Sequence, residues 1–180
     1  MMVQKFAWME GAKRIIAVDY LDYRINHAKK MNNVRVFEFT KYPDMGEHLK
    51  EITHGGADVV IDCVGMDGKK PPLEFLEQKL GPIQISTKAV RKYGTVQMTG
   101  VYGGNYNLFT LGAFWVRNIN LRVGQAPVIH FMPELFKKIT NNEFDPRDII
   151  THKMSLEEAS QGYRIFNNRE DESIKVVLKP

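Results

Sequence analysis

The sequence predicts an α/β fold, a doubly wound parallel sheet with helices on both faces. Three observations predict it. Short apolar runs that end in an acid, Ile15-Ile16-Ala17-Val18-Asp19 and Val59-Val60-Ile61-Asp62, read as strands buried on both sides. Segments of helix formers stand between such runs, and the alternation continues from residue 1 to residue 180. No internal repeat, low-complexity stretch or linker interrupts it, so one domain over 1–180 is expected.

Each element follows from local chemistry. Residues 2–9 are good helix formers, and Gly11 can close the helix. Residues 14–19 form the first strand. Residues 22–30 are polar and helical, with Asp22 as the expected cap. A strand follows at 34–37. Pro43 and Asp44 then open a helix to about Thr53. His54-Gly55-Gly56 is a turn into the strand at 57–62. Residues 69–72 read as a loop and 73–80 as a short helix, interrupted by Gly81-Pro82 before a further helix to Lys92. Residues 94–100 are a strand, 109–116 a helix, 119–123 a strand, and 129–139 a helix with a proline in its first turn. The tail reads as a helix over 155–166 and a strand over 174–178. Ser155 and Glu158 spell a capping box for that helix.

Composition narrows the function classes. The balance of 43% hydrophobic and 26% charged residues is that of a soluble globular domain. A net charge of +4 suits an anionic ligand. The basic residues are scattered, however, and Lys13-Arg14 is only a pair at a helix end, so nucleic-acid binding is not expected. One cysteine, Cys63, excludes an internal disulfide and any cysteine-based metal cluster within these residues, and it suits a reducing compartment. Its place inside an apolar strand marks it as a small core residue. No apolar stretch reaches the roughly 20 residues of a membrane span. Residues 1–9 include Lys5 and lead to Glu10 without a signal-type cleavage site. The expected location is cytoplasmic.

In wound parallel sheets ligands sit beyond the carboxyl ends of the strands. Asp19 ends the first strand. In a dinucleotide fold, an acid there accepts hydrogen bonds from both adenosine ribose hydroxyls and repels a 2'-phosphate, so NAD is favoured over NADP. An isolated acid at a strand end is otherwise simply solvated. The acid should follow a Gly-x-Gly-x-x-Gly loop by about 20 residues, which places that loop just before Met1. The helix at 2–9 is what should follow such a loop, yet the glycine motif itself is absent. A fold truncated at its N-terminus, lacking its first strand and phosphate loop, is therefore expected. Arg24 lies along the adenosine or is an exposed helix residue. Val64 and Gly65 meet the adenine side or make a turn. Thr99, Gly100 and Val101 end another strand, with Tyr102-Gly103-Gly104 behind them, where exposed backbone can meet a nicotinamide. The five histidines are dispersed and no nucleophile elbow is visible. No catalytic residue and no metal ligand are assigned.

Together these segments resemble the zinc-containing, medium-chain alcohol dehydrogenases. The matching pieces are Gly11-Ala12-Lys13-Arg14-Ile15-Ile16-Ala17-Val18-Asp19, Gly56-Ala57-Asp58-Val59-Val60-Ile61-Asp62-Cys63-Val64-Gly65, Gly94-Thr95-Val96-Gln97-Met98-Thr99-Gly100-Val101 and Ser173-Ile174-Lys175-Val176-Val177-Leu178. Gly124-Gln125-Ala126-Pro127-Val128 is similar to the formaldehyde-dehydrogenase-like branch. The resemblance covers essentially the whole chain and implies an incomplete NAD(P)-binding Rossmann domain. It implies NAD binding through Asp19 and Arg24 and through main chain at Val64, Gly65, Thr99, Gly100, Val101, Arg122, Val123 and Gly124. Lys175 is implied near the pyrophosphate. It further implies hydride transfer between an alcohol or aldehyde and NAD, with zinc polarising the alcohol oxygen. In the family a separate N-terminal domain supplies the zinc ligands and the proton relay, so this chain alone is expected to be inactive. A homo-oligomer is implied, paired through the strand at 119–123. In the order 3-2-1-4-5-6 the missing first strand is central, and its loss leaves two open edges. Either these residues come from a longer parent, or the fragment repairs itself by direct pairing of the strands at Ile15 and Val59 or by a swap with another chain. Two other classes compete. One is an S-adenosylmethionine-dependent methyltransferase, whose fold also places an acid after strand two but ends in an antiparallel pair that is not spelled here. The other is a non-catalytic nucleotide-binding module.

Overall fold

The computed structural model describes residues 1–65, 81–102 and 109–180. In chain order its elements are α1 (Met2–Met9), β1 (Ile16–Asp19), α2 (Asp22–Asn32), β2 (Arg35–Glu38), α3 (Met45–Ile52), β3 (Ala57–Asp62), α4 (Gly81–Ala89), β4 (Val90–Met98), α5 (Leu111–Trp115), β5 (Asn120–Val123), α6 (Val128–Thr140), β6 (His152–Ser155), α7 (Ala159–Asn168) and β7 (Val176–Lys179). Every ladder among them is parallel: β1 with β2, β3 with β4 with β5, and β6 with β7. The α/β class with parallel strands is as the sequence predicts. The expected loop at 69–72, the helix at 73–80 and Gly103-Gly104 lie outside the described residues.

The differences from expectation have local causes. Asp22 is the first residue of α2 rather than its cap; Leu21 occupies the cap position and uses no side chain. The stabilising acid is Asp19, whose Oδ1 accepts from the amides of Tyr20 and Leu21. Among the described residues α4 begins with Gly81-Pro82, where proline lacks an amide that the first turn leaves unpaired in any case; the helix at 73–80 that these two residues are expected to interrupt lies outside the described residues. The strand expected from Gly94 begins at Val90, and its register against β3 shifts between Ala57 and Val59. Pro133 lies in the second turn of α6, not its first. Residues 152–155 form a strand, so α7 starts at Ala159. The Ser155 amide still donates to Glu158 Oε2 at 2.9 Å, which closes the turn between the two elements.

The chain divides into two compact units. The first comprises residues 1–39 and 128–180. There α2 packs on β1 and β2, and α7 on β6 and β7. Ile25, Ala28, Val34, Phe37 and Ile165 are its buried apolar side chains. Buried Asn32 ties α2 to α1: Trp8 Nε1 donates to the Asn32 carbonyl at 2.8 Å, and Asn32 Nδ2 to Gln4 Oε1 at 2.6 Å. Lys5 pairs with Asp148, which His27 Nε2 approaches at 3.3 Å. β1, which the pattern predicts to be buried on both sides, is half-buried throughout, and among the described residues its strand neighbour is β2.

The second unit spans residues 40–127. Its core is Ile83, Val90, Val96, Met98 and Phe114, with Val60 and Leu121 packed against them. The hydroxyls of Ser86 and Thr87 donate to carbonyls one turn back in α4, which satisfies them where water is excluded. Arg117 donates to the carbonyls of Thr87 and Val90, pinning the α4-to-β4 junction. Residues 59–61 of β3 are all apolar, yet within 59–62 only Val60 and Asp62 turn to the core. Val59 is 55% and Ile61 38% exposed on the other face of this edge strand. Cys63, expected in the core, is exposed just past its end. Among the described residues no helix is long and apolar enough to cross a membrane.

Candidate functional site

The expected site residues divide between the two units. Asp19, Arg24 and Lys175 belong to the first, and Val64, Gly65, Thr99, Gly100, Val101, Arg122, Val123 and Gly124 to the second.

In the first unit Asp19 is the last residue of β1, paired in register with Glu38 at the end of β2. An apolar strand brings the acid to its carboxyl end, and the turn into α2 fixes its rotamer. Oδ1 accepts from Tyr20 N at 2.7 Å and Leu21 N at 3.1 Å. No described residue donates to Oδ2, and the side chain is half-buried. One oxygen is thus held by the loop while the other can accept from a ligand hydroxyl. Arg24 stands in the first turn of α2 with its guanidinium 5.6 Å from the Tyr23 ring centroid. It makes no ion pair with Asp19. Tyr20, beside Asp19, accepts from the Arg169 guanidinium at the end of α7. Lys175 is exposed immediately before β7, and its carbonyl accepts from the amides of Thr151 and His152.

In the second unit the exits of β3 and β4 converge on one side chain that the sequence reading passed over. Asp62 is 4% exposed. Its Oδ1 accepts from Val64 N at 2.8 Å and Gly65 N at 3.3 Å, and its Oδ2 from the Tyr102 hydroxyl at 2.7 Å. Its carbonyl accepts from Thr99 N at 2.8 Å and Gly100 N at 3.0 Å. Three donors therefore meet the carboxylate, which is how a charge becomes tolerable away from water, and two more meet the carbonyl of the same residue. Burial pushes the Tyr102 phenol far above its ordinary range, and the hydrogen bond to Asp62 adds to the shift.

The two exits touch backbone to backbone. A Cβ on Gly65, whose φ is +68°, would lie 2.6 Å from the amide nitrogen of Val101; one on Gly100 would lie 2.1 Å from the amide nitrogen of Gly65. Glycine at 65 is thus required by the neighbouring loop as well as by the turn. Four expected main-chain contacts, at Val64, Gly65, Thr99 and Gly100, have their amides engaged by Asp62. A ligand there meets carbonyl acceptors and the exposed side chains of Val64 and Val101. Arg122 and Val123 close β5, in register with Gln97 and Met98, and Gly124 follows with φ +147°.

The Asp62 turn had a signal in the sequence, since an acid two residues before a Val-Gly pair can accept from the amides that follow it. Tyr102, 40 residues away, had none. A hollow of about 510 Å³ in the first unit is lined by Trp8, Met31, Asn32 and Phe144 among others; no lining residue belongs to a strand exit. Among the described residues no three His, Cys, Asp or Glu side chains group as metal ligands.

Comparison with known proteins joins these observations. Residues 1–77 match the family model of zinc-binding dehydrogenases. The whole chain aligns at 52% identity with the zinc-type alcohol dehydrogenase-like protein AdhB of Bacillus subtilis (strain 168), covering 50% of that protein. A zinc-type alcohol dehydrogenase-like protein of Schizosaccharomyces pombe, C1198.01, is 26% identical over 96% of this chain and 42% of its own. The chain spans about half the length of the curated relatives it matches. Among solved structures, alcohol dehydrogenase TADH from Thermus sp. ATN1 superposes with a TM-score of 0.77 at 22% identity, covering 98% of this chain and 46% of that one. The 2R,3R-butanediol dehydrogenase from Bacillus subtilis gives 0.78 at 15% identity, covering 99% and 47%. At these identities the superpositions establish the fold, which is Rossmann-like.

Proposed function

We propose that this chain, a member of the zinc-type alcohol dehydrogenase-like family, is the NAD-binding part of an enzyme that moves hydride between an alcohol or aldehyde and NAD. The observation that carries the reading is Asp19. It ends a parallel strand with one oxygen held by two loop amides and the other open to a donor. A carboxylate so fixed accepts from ribose hydroxyls and opposes a 2'-phosphate, which selects NAD over NADP. Arg24, Val64, Gly65, Thr99, Gly100, Val101, Arg122, Val123, Gly124 and Lys175 are the remaining proposed contacts. When bound, the nicotinamide supplies the hydride acceptor or donor. The part played by these residues is to bind and orient. Zinc ligands and the proton relay are assigned to the portion of a relative-length enzyme that this chain does not match, and the chain by itself is expected to turn over no alcohol. Membership of the formaldehyde-dehydrogenase-like branch rests on residues 124–128, and a homo-oligomer paired through the open edge of β5 belongs to the same reading. The parallel run of β6 and β7 supports it over a methyltransferase, whose sheet ends in an antiparallel pair.

Thermal unfolding in the presence of NAD, NADP and S-adenosylmethionine tests the proposal. Ligand at about 100 times its Kd stabilises the folded state by about 2.7 kcal/mol, a readily measured shift. NAD is expected to raise the midpoint more than NADP, with Asp19→Ala abolishing the difference. A shift with S-adenosylmethionine alone would overturn the reading. Chelator-sensitive oxidation of ethanol by the chain would overturn its inactivity.

A further inference from the structure

Asp62 ends β3 as the one acid among the buried polar residues described. A carboxylate that served only to stop a strand would sit in solvent at no cost. This one is inside, and its charge is matched by three donors from two separate strand exits: the amides of Val64 and Gly65 after β3, and the hydroxyl of Tyr102 after β4. Its own carbonyl adds Thr99 N and Gly100 N. The glycines at 65 and 100 let the two exits meet at distances no side chain would allow. The result is a rigid junction whose outer surface carries Val64 and Val101, 50% and 71% exposed.

We propose that Asp62 is a positioning residue for the dinucleotide site, clamping the exits of β3 and β4 through Tyr102 so that the main chain at 64–65 and 100–101 keeps one arrangement. The proposal rests on the reading of the chain as NAD-binding. It separates the two oxygens by task. Oδ1 shapes the β3 exit locally, and Oδ2 reaches 40 residues along the chain to hold the β4 exit. Geometry, not charge, is what the clamp supplies. An amide in the same place keeps an acceptor for the two backbone donors and can turn its NH2 to the Tyr102 oxygen.

NADH binding to the full chain, followed by fluorescence beside circular dichroism, tests this with Asp62→Asn, Asp62→Ala and Tyr102→Phe. Asp62→Asn is expected to bind within about threefold of the parent. Asp62→Ala is expected to lose about tenfold or more at a temperature where it is still folded, and Tyr102→Phe to fall between them. Parent-like binding by folded Asp62→Ala overturns the clamp. So does equal loss in Asp62→Asn and Asp62→Ala, which would make the charge itself the requirement. Should Asp62→Ala fail to fold, unchanged binding by folded Tyr102→Phe overturns it instead. A parent chain that binds no NADH at millimolar concentration sinks the NAD reading and the clamp's role with it. A parent that binds while the variants match it sinks the clamp alone.

Discussion

Asp19 and Asp62 each close an apolar strand, yet their carboxylates meet different surroundings. Asp19 gives one oxygen to two neighbouring amides and stays half-buried with the other open. Asp62 is enclosed, and both of its oxygens are engaged from two loops. The contrast teaches that a strand-ending acid is read by how many of its lone pairs the protein itself fills. The acid with an unfilled oxygen is suited to a ligand, and the filled one holds up the backbone around it.

The comparison can be broken most severely at Gly100. Gly100→Ala would place a Cβ 2.1 Å from the Gly65 nitrogen, so backbone must move, and a loss of about 3 kcal/mol or more is expected in urea unfolding. Parent-like stability would mean the two exits do not meet. Next comes Asp62→Ala, which strands two amides and a phenol and should cost about 2–3 kcal/mol. Asp19→Ala should cost less than about 1 kcal/mol, since its amides are near water. Equal losses from the two acids would erase the distinction.

A third acid sharpens the contrast. Asp44 caps α3 by accepting from Glu47 N at 3.0 Å and pairs with Lys88. Partial burial pushes its carboxyl upward, but the Lys88 and backbone hydrogen bonds outweigh that and leave it below the ordinary carboxylate range. Its stabilisation is therefore full above the unfolded acid's pKa and is lost as pH falls through the lower folded value. Asp44→Ala should cost about 1 kcal/mol at neutral pH and less at about pH 2, as read from urea midpoints. A cost independent of pH would show that the cap does not act through the ionised carboxylate.

The smallest expected effect lies on the alkaline side. Tyr102 is held protonated well above the ordinary tyrosine range by burial and by Asp62. That contribution to stability is complete below about pH 10 and declines above it, because the unfolded phenol ionises first. Tyr102→Phe should flatten the decline by about 1 kcal/mol or less. A spectrophotometric titration in which all seven tyrosines of the folded chain ionise together near pH 10 would contradict the half-buried, Asp62-bonded phenol.

Much of the fold was legible because periodicity reports burial locally. The strand at 57–62 and the helix at 2–9 occur with the bounds the pattern predicts. A capping-box spelling places the start of a helix at Ser155, but Ser155 ends the strand β6 and α7 starts at Ala159; that four-residue strand depends on its pairing with β7. Asp19 was legible as a strand-ending acid. The clamp at Asp62 was not, because its partner Tyr102 lies 40 residues away and no spacing rule links them.

By itself the sequence determined the alternation of strands and helices, the parallel class, and the acids that punctuate strand ends, since each depends on neighbours within a few residues. Only the tertiary structure decided which acid is enclosed, which glycine serves another loop, and which face of β3 meets the core. Those outcomes depend on distances between segments far apart in the chain, and they are set by packing and by the filling of buried lone pairs rather than by local preference.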